Sequence, residues 1–412
     1  MREVVELSQD GSEQLLSVSE YYGVAPRAQV IDAGDHLSRA ESLEGYKKCA
    51  AGDLVMNIML AWKRALGVTD FDGIVSPAYA VFRPENSRLS PRFAHYFFRS
   101  DTLVSEFRKL STGVIDSRLR LYPEVFVGMT VHIPAVEDQE RIANFLDEQT
   151  ARIDALIAEK ESLLERLESA VEAHAFHLVT EGSDGRGVST GRAEGWLARV
   201  PSHWTIPKLG YFAEVGNGAT PKREVEGYWL NGTIPWVTST AINDRVIAST
   251  AECVTDAGKS AAGLKLVRAG STIVGLIGQG PTRGMAAKLA IEATVSQNVA
   301  YVSSRDPGLV SDEYLVVVLT GLYTALRYLS DGSGGAQGAM NCETLRAFRV
   351  PIAPRHEQQA LVAAFVERKH AIEAMQKHAF EHIARLREYR SSLISAAVTG
   401  QLNLDACGSV VP

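Results

Sequence analysis

Two long stretches of the chain, residues 135–181 and 354–401, carry apolar residues at the three- and four-residue spacing of an amphipathic α-helix. Both stretches follow the seven-residue period of a coiled coil. At 1.5 Å per residue, a helix of about 40 residues is about 60 Å long, which is too long to pack within one small domain. The residues predicted to pair the two helices are Leu146, Ile153, Leu156, Leu163, Leu167, Phe365, Ile372, Met375 and Leu386.

The two helical stretches are copies of one repeated unit. A shift of 219 residues aligns 131–180 with 350–399 without a gap, and 10 of the 50 positions are identical. The similarity continues upstream, where Ala51-Gly52-Asp53 and Ala269-Gly270-Ser271 each predict a turn into a buried strand. A solitary helix of this length would leave its apolar stripe in water, so we expect the two copies to pack on each other, and the repeat favours an antiparallel pair.

The pattern predicts an α+β protein with two globular α/β domains joined by two long helices, which pack as an antiparallel coiled coil with pseudo-twofold symmetry. The second domain opens with Trp196 and with Pro201 to Trp204, for which the first has no counterpart, so we expect the first to lack some 15 to 25 opening residues. The predicted segments are domain 1 (1–134), the central helix (135–181), a glycine-rich linker (182–194), domain 2 (195–353), the distal helix (354–401) and a tail (402–412).

Composition places the chain among globular proteins and excludes a membrane-spanning role. Hydrophobic residues make up 46% and charged residues 22%, and the longest apolar run, 314–326, is shorter than the roughly 20 residues that cross a bilayer. The four cysteines lie far apart and no secretory leader opens the sequence, which favours a reducing, cytoplasmic location.

The charge of the chain is unevenly distributed. The net charge is -7, and residues 137–172 alone, with 11 acidic and 4 basic side chains, account for that excess. Residues 83–120 carry 8 basic and 4 acidic side chains, so this stretch is a candidate for contacts with phosphates.

The residue patterns of common enzymes are absent from the sequence. His356 is followed at the fourth position by Ala360, where a zinc protease needs its second histidine, and Gly278 to Arg283 lacks the third glycine of a dinucleotide-binding loop. No Asp or Asn precedes Pro-Pro and an aromatic residue, the pattern of an adenine methyltransferase. We therefore predict no catalytic residue and no metal ligand.

Basic residues beside glycine-containing loops are the candidates for DNA binding. Backbone amides of such loops approach phosphates closely, while Arg and Gln side chains reach base edges. Each of these arginines is equally well explained as a solvated surface residue, and Trp62 as a core residue. The candidates are Lys63, Arg64, Arg118, Arg120, Lys222, Arg223, Arg283 and Gln337.

Taken together, these residues resemble the specificity subunit of a type I restriction-modification system. The resemblance covers essentially the whole chain apart from the short N-terminus. The motifs that carry it are Leu16-Ser17-Val18-Ser19, Tyr22-Gly23-Val24, 40–46, Gly52-Asp53-Leu54-Val55, Met59-Leu60-Ala61-Trp62, 73–79, Ile133-Pro134, 137–143, Phe145-Leu146-Asp147, 201–204, Gly218-Ala219-Thr220-Pro221 and Glu357-Gln358-Gln359.

The resemblance implies a non-catalytic subunit that binds double-stranded DNA. Each globular domain would read one half of a bipartite site, and the helices would set the spacer and dock two methyltransferase subunits. The resemblance implies no cofactor for this chain, whereas S-adenosylmethionine would bind the methyltransferase subunits, and ATP and Mg would serve the restriction subunits. The alternatives are a solitary nuclease or methyltransferase, an orphan or partner-exchanging relative, and a coiled-coil scaffold that binds no DNA.

Overall fold

The computed structural model describes residues 1–30, 42–115, 118–183, 185, 187–189, 195–278, 280–331 and 339–404. The chain forms two compact units: unit 1 comprises Met1–Glu161 and Phe380–Pro412, and unit 2 comprises Ser162–Ala379. The predicted domain boundaries at 134 and 353 precede the long helices, whereas the compact units divide within those helices. Among the described residues, none of the helices combines the length and the low charge needed to cross a bilayer.

Unit 1 is an antiparallel sheet packed against short helices and against a part of each long helix. Its strands are β1 (Arg2–Glu3), β2 (Leu16–Ser19), β3 (Gly23–Pro26), β4 (Lys47–Cys49), β5 (Leu54–Asn57), β6 (Leu66–Val68), β7 (Gly73–Val75) and β8 (Tyr79–Arg83). Its helices are α1 (Arg27–Val30), α2 (Pro91–Phe98), α3 (Asp101–Leu110), α4 (Pro123–Val127) and the first part of α5 (Val136–Glu181). The main sheet has the order β1-β8-β5-β6, and Leu54, Met56 and Phe82 pack in one core with Phe93 and Phe97.

Unit 2 has the same construction with more strands. Its strands are β9 (Val188–Ser189), β10 (Arg199–Val200), β11 (Ala213–Asn217), β12 (Ile234–Val237), β13 (Val246–Ile247), β14 (Glu252–Val254), β15 (Thr272–Gly275), β16 (Ala286–Leu289), β17 (Thr294–Val295) and β18 (Val299–Ser304). Its helices, besides the end of α5, are α6 (Leu209–Phe212), α7 (Asp256–Ala261), α8 (Asp312–Gly321), α9 (Tyr323–Asp331), α10 (Cys342–Ala347) and the first part of α11 (Arg355–Val398). The predicted linker therefore contains β9, which pairs with β10.

The strand order confirms the internal repeat. The sheet of unit 2 has the order β11-β18-β15-β16-β13, in which the first four strands occupy the places of β1, β8, β5 and β6. Beside it, β12 pairs in parallel with β17, and the corresponding position Leu15 forms a parallel bridge with Ile74. The α+β class and the two repeated globular parts are thus as predicted.

A buried glutamine fastens the start of α5 to the rest of unit 1. Gln139 is fully buried, and its Oε1 accepts a hydrogen bond from the Ser90 N–H at 2.8 Å. Its Nε2 donates to the carbonyl oxygens of Arg88 and Pro134, both at 2.8 Å. Because the Ser90 side chain also caps α2, this one amide joins two helix starts.

Gln358 repeats this arrangement at the start of α11 in unit 2. Its Oε1 accepts from the Ser311 N–H at 3.0 Å, and its Nε2 donates to the carbonyl oxygens of Leu309 and Ala353, both at 2.9 Å. Ser311 caps α8 as Ser90 caps α2. Buried backbone groups require hydrogen-bond partners, so the glutamine shared by the two copies is a structural requirement of the repeat.

In unit 1 the two long helices run antiparallel, as predicted. Arg390 of α11 pairs with Asp154 of α5 at 2.8 Å, and Arg387 pairs with Glu161 at 2.8 Å. The residue number rises along α5 as it falls along α11, which fixes the direction of the pair.

In unit 2 the start of α11 packs against the end of α5. Leu361 and Phe365 belong to one buried cluster with Leu178 and Val179. This is again the antiparallel order, because the first residues of one helix meet the last residues of the other.

Most of the predicted helix-pairing residues are shielded from solvent. Leu146, Ile153, Leu167, Phe365 and Ile372 are buried, and Leu163 and Leu386 are half-buried.

The prediction is wrong for Leu156 and Met375, whose side chains are 45% and 42% exposed. In both copies the shielded positions fall one residue later in the heptad than Leu156 and Met375. Ile157 and Lys369 are examples of these positions. Lys369 is a polar residue whose side chain is 21% exposed, so its aliphatic stem packs where hydrophobicity alone predicts a leucine or methionine.

Burial of His95 on α2 predicts an acid-sensitive unit 1. Burial, followed by the nearby charge of Arg99, lowers the pKa of His95 from 6.5 to about 4. The unfolded chain takes up the proton first as the pH falls, so we expect unit 1 to lose stability from pH 6.5 towards pH 4. Urea unfolding, with hydrogen exchange of the α2 amides as the local readout, measures this loss of stability. The variant His95→Gln should flatten the pH dependence and the exposed control His132→Gln should preserve it; equal slopes in all three proteins would refute the assignment.

Candidate nucleic-acid interface

The loop after β5 and helix α3 place two cations beside an indole at one edge of unit 1. Trp62 lies in a short 3-10 turn, and its Nε1 donates to the Met59 carbonyl oxygen at 3.0 Å. The Lys63 Nζ lies 5.1 Å from the ring centroid, and the Arg108 guanidinium lies 4.8 Å from it. Trp62 is thus a buried support for exposed cations, which agrees with its interpretation as a core residue.

A second loop brings further arginines to the same edge. The Leu121 N–H donates to the Ile58 carbonyl oxygen at 2.8 Å, which joins the segment after α3 to the loop after β5. Thr112 and Arg120 exchange two backbone hydrogen bonds of 3.0 Å, and the side chains of Arg118 and Arg120 are exposed. Candidates that lie more than 50 residues apart in the sequence therefore share one surface.

Arg64 has a different environment from its neighbour Lys63. It adopts a left-handed conformation with φ of 71°, and its guanidinium forms an ion pair with Asp101. Its carbonyl oxygen accepts from Arg99 at 2.8 Å. Arg64 therefore holds α3 and the loop together, and its charge is already compensated within unit 1.

The corresponding edge of unit 2 is formed by the loop after β15. The Met340 N–H donates to the Leu276 carbonyl oxygen at 2.9 Å, the equivalent of the bond between Leu121 and Ile58. Tyr323 donates to the Pro281 carbonyl oxygen at 2.8 Å. Gln337, predicted for this edge, lies outside the described residues.

Arg283 does not fit its predicted role in DNA contact. Only 4% of this residue is exposed, because the loop folds its side chain into unit 2. The neighbouring Thr282 is half-buried, and its hydroxyl donates to the exposed Asn243 amide oxygen at 3.2 Å. No sequence pattern pointed to Asn243, since it lies about 40 residues earlier in the chain.

Arg223 is held by an ion pair and by aromatic rings. Its Nη2 lies 3.0 Å from Glu252 Oε2, and its guanidinium lies 3.9 Å from the ring centroid of Trp229. The paired hydrogen bonds raise the pKa of Arg223 and lower the pKa of Glu252. Lys222 is exposed beside it, and its carbonyl oxygen accepts from the Trp229 indole at 3.1 Å. Of this predicted pair, Lys222 has the more accessible charge.

Polar groups that the sequence did not single out lie beside the turn between β17 and β18. The Asn217 amide donates to the Gln297 carbonyl oxygen at 3.3 Å, and the Thr220 hydroxyl donates to Gln297 Oε1 at 2.6 Å. Exposed amide groups of this kind pair with adenine edges in DNA complexes. The glycine-rich loop from Gly216 to Pro221 pointed to this region, but Gln297 comes from another part of the chain.

The described residues contain no cluster of three or more histidine, cysteine, aspartate or glutamate side chains placed to hold a metal ion. The chemistry of both edges is instead that of cations, amides and hydroxyls. Such groups bind phosphates and base edges.

Comparison with known proteins gives a family match in the second half of the chain. Residues 201–378 match the family model described as the type I restriction modification DNA specificity domain. The chain is 28% identical over 169 residues to the type I restriction enzyme MjaIX specificity subunit of Methanocaldococcus jannaschii, an alignment that covers 40% of this chain and 38% of the relative. It is 23% identical over 155 residues to the type I restriction enzyme EcoR124I/EcoR124II specificity subunit of Escherichia coli, covering 37% and 38%. The alignments thus span well under half of these relatives.

The fold also has a counterpart among solved structures. A chain reported under "Structural basis underlying complex assembly and conformational transition of the type I R-M system" matches with a TM-score of 0.65 and 16% identity. That match covers 97% of this chain and 95% of the solved chain. The likeness extends over both units.

Proposed function

We propose that the chain is a specificity subunit of a type I restriction-modification system and that it recognises a bipartite site in double-stranded DNA, one half-site for each unit. The observation that carries this proposal is the edge of unit 1, where Lys63, Arg118 and Arg120 are exposed around Trp62. The equivalent edge of unit 2 is built on the same backbone hydrogen bond.

The basic side chains position the units on DNA through phosphates. Such contacts fix orientation without reading sequence, whereas amide and hydroxyl groups discriminate base edges. In unit 2 the exposed polar groups of Asn217, Gln297 and Asn243 suit the second task.

The long helices set the distance between half-sites and dock two methyltransferase subunits. The acidic stretch 137–172 of α5, at -7, repels phosphates and suits contacts with protein. In this role the chain supplies recognition without catalysis and binds no cofactor. The methyltransferase subunits bind S-adenosylmethionine, and the restriction subunits use ATP and Mg.

Replacing Arg118 and Arg120 with alanine tests the role of unit 1 in this proposal. Each phosphate contact contributes about 0.9 to the slope of log affinity against log salt, so we expect weaker binding and a slope lower by up to about two. The measurement is binding to duplex DNA across a salt series.

A matched control removes two charges elsewhere in unit 1. Arg141→Ala with Arg152→Ala takes two exposed arginines from α5, and we expect it to leave the slope unchanged. A slope unaltered by the Arg118 and Arg120 variant would remove these residues from the interface. A chain that binds no DNA at any salt concentration would instead support a scaffold.

A further inference from the structure

A groove in unit 1 lies where unit 2 has a covered surface. Its volume is about 250 Å³, and its lining includes Met1, Leu89, Phe126, Met129, Val131 and Ile133. One wall is the segment that joins α4 to α5. The shift of 219 residues aligns this segment with the one that joins α10 to α11 in unit 2.

In unit 2 that segment is paired with a strand-like stretch, residues 205–209. The N–H of Val350 donates to the Pro207 carbonyl oxygen at 3.1 Å, and the N–H of Ile352 donates to the Thr205 carbonyl oxygen at 2.8 Å. The Thr205 N–H in turn donates to the Ile352 carbonyl oxygen at 3.2 Å, so the pairing is antiparallel.

Two tryptophans that precede this stretch complete the cover in unit 2. Trp196 stacks on Phe348 with ring centroids 5.4 Å apart, and the Trp204 indole donates to Glu357 Oε2 at 3.0 Å. As a result Ile352 is only 8% exposed.

The equivalent positions of unit 1 have the same local backbone without the cover. The Met129 N–H donates to the Phe126 carbonyl oxygen at 3.2 Å, as Phe348 does to Leu345 at 3.3 Å. No backbone hydrogen bond joins the N–H groups of Val131 or Ile133 to another residue in the part of the chain that the structure describes.

Ile133 is also 37% exposed, against 8% for its counterpart Ile352. Unpaired backbone groups beside apolar side chains form a template for the addition of a strand.

We propose that this groove binds an extended peptide strand with the chemistry of residues 204–209, supplied by another polypeptide. That chemistry is an aromatic residue, followed by a proline three positions later and a leucine five positions later. Residues 205–209 themselves are engaged in unit 2, where their backbone pairs with that of Val350 and Ile352. Asp138 aligns with Glu357 and offers a carboxylate for the incoming indole.

The test is a labelled peptide of residues 195–210 titrated into the full-length chain. We expect saturable binding and slower hydrogen exchange at residues 130–133, because the peptide pairs with that backbone. A second peptide with Trp204→Ser and Leu209→Ser should bind at least tenfold more weakly, since it lacks the side chains that fill the groove.

Two variants of the chain locate the site. Ile133→Arg should weaken peptide binding at least tenfold, while Ile115→Arg, at another exposed isoleucine of unit 1, should leave it unchanged. Urea unfolding verifies that both variants are folded. The proposal is overturned if the folded chain binds no peptide, if Ile133→Arg binds as tightly as the parent, or if binding leaves exchange at 130–133 unaltered.

Discussion

Replacing Gln358 with leucine is expected to destabilise unit 2 by roughly 2–6 kcal/mol. The side-chain amide makes three hydrogen bonds to backbone groups, and leucine makes none. Two of these bonds, to the Ser311 N–H and to the Ala353 carbonyl oxygen, are buried, and each buried backbone group left without a partner costs about 1–3 kcal/mol. Urea unfolding, with hydrogen exchange at Ser311, measures the loss.

The next residue provides a matched control in the same helix. Gln359 is exposed, so Gln359→Leu should change stability by less than about 0.5 kcal/mol. Gln139→Leu in unit 1 should repeat the large loss, because Gln139 makes the same three bonds. Equal stabilities of the Gln358 and Gln359 variants would show that the amide does not hold the helix.

The long helices and the repeat were predictable because their signals are periodic. An apolar stripe sustained over some 40 residues favours one conformation, and a second copy of it adds independent support. The exact set of helix-pairing residues was not predictable from the apolar residues alone. The aligned residues Leu156 and Met375, one in each copy, are both exposed. Lys369 is instead largely shielded and packs through its aliphatic stem.

The candidate site was harder to predict because accessibility depends on contacts between distant residues. Arg64, Arg223 and Arg283 stand in loops like those of Arg118 and Arg120, yet Asp101 pairs with the first, Glu252 pairs with the second, and unit 2 buries the third. None of these partners is adjacent in sequence. The glycine-rich loops pointed to these two edges, and the fold decided which of their side chains remain exposed.

Under the proposed function, a paired deletion in the two long helices is expected to shorten the DNA spacer between the half-sites. Removing residues 158–164 of α5, centred on Glu161, together with 384–390 of α11, centred on its ion-pair partner Arg387, preserves the antiparallel register. Seven residues shorten each helix by about 10.5 Å, which corresponds to about three base pairs of DNA. Under the proposed function both half-sites stay the same, because neither globular part is altered.

Sequencing of methylated adenines, in cells that carry the chain with its partner subunits, measures both the half-sites and the spacer. The control replaces 158–164 with a copy of 151–157, which changes the sequence of the heptad and keeps its length, so its spacer should equal that of the parent. A deletion from α5 alone should abolish recognition, because it leaves seven residues of α11 without partners. Methylation by the paired deletion at an unchanged spacer, or at altered half-sites, would contradict a role of helix length in setting the distance.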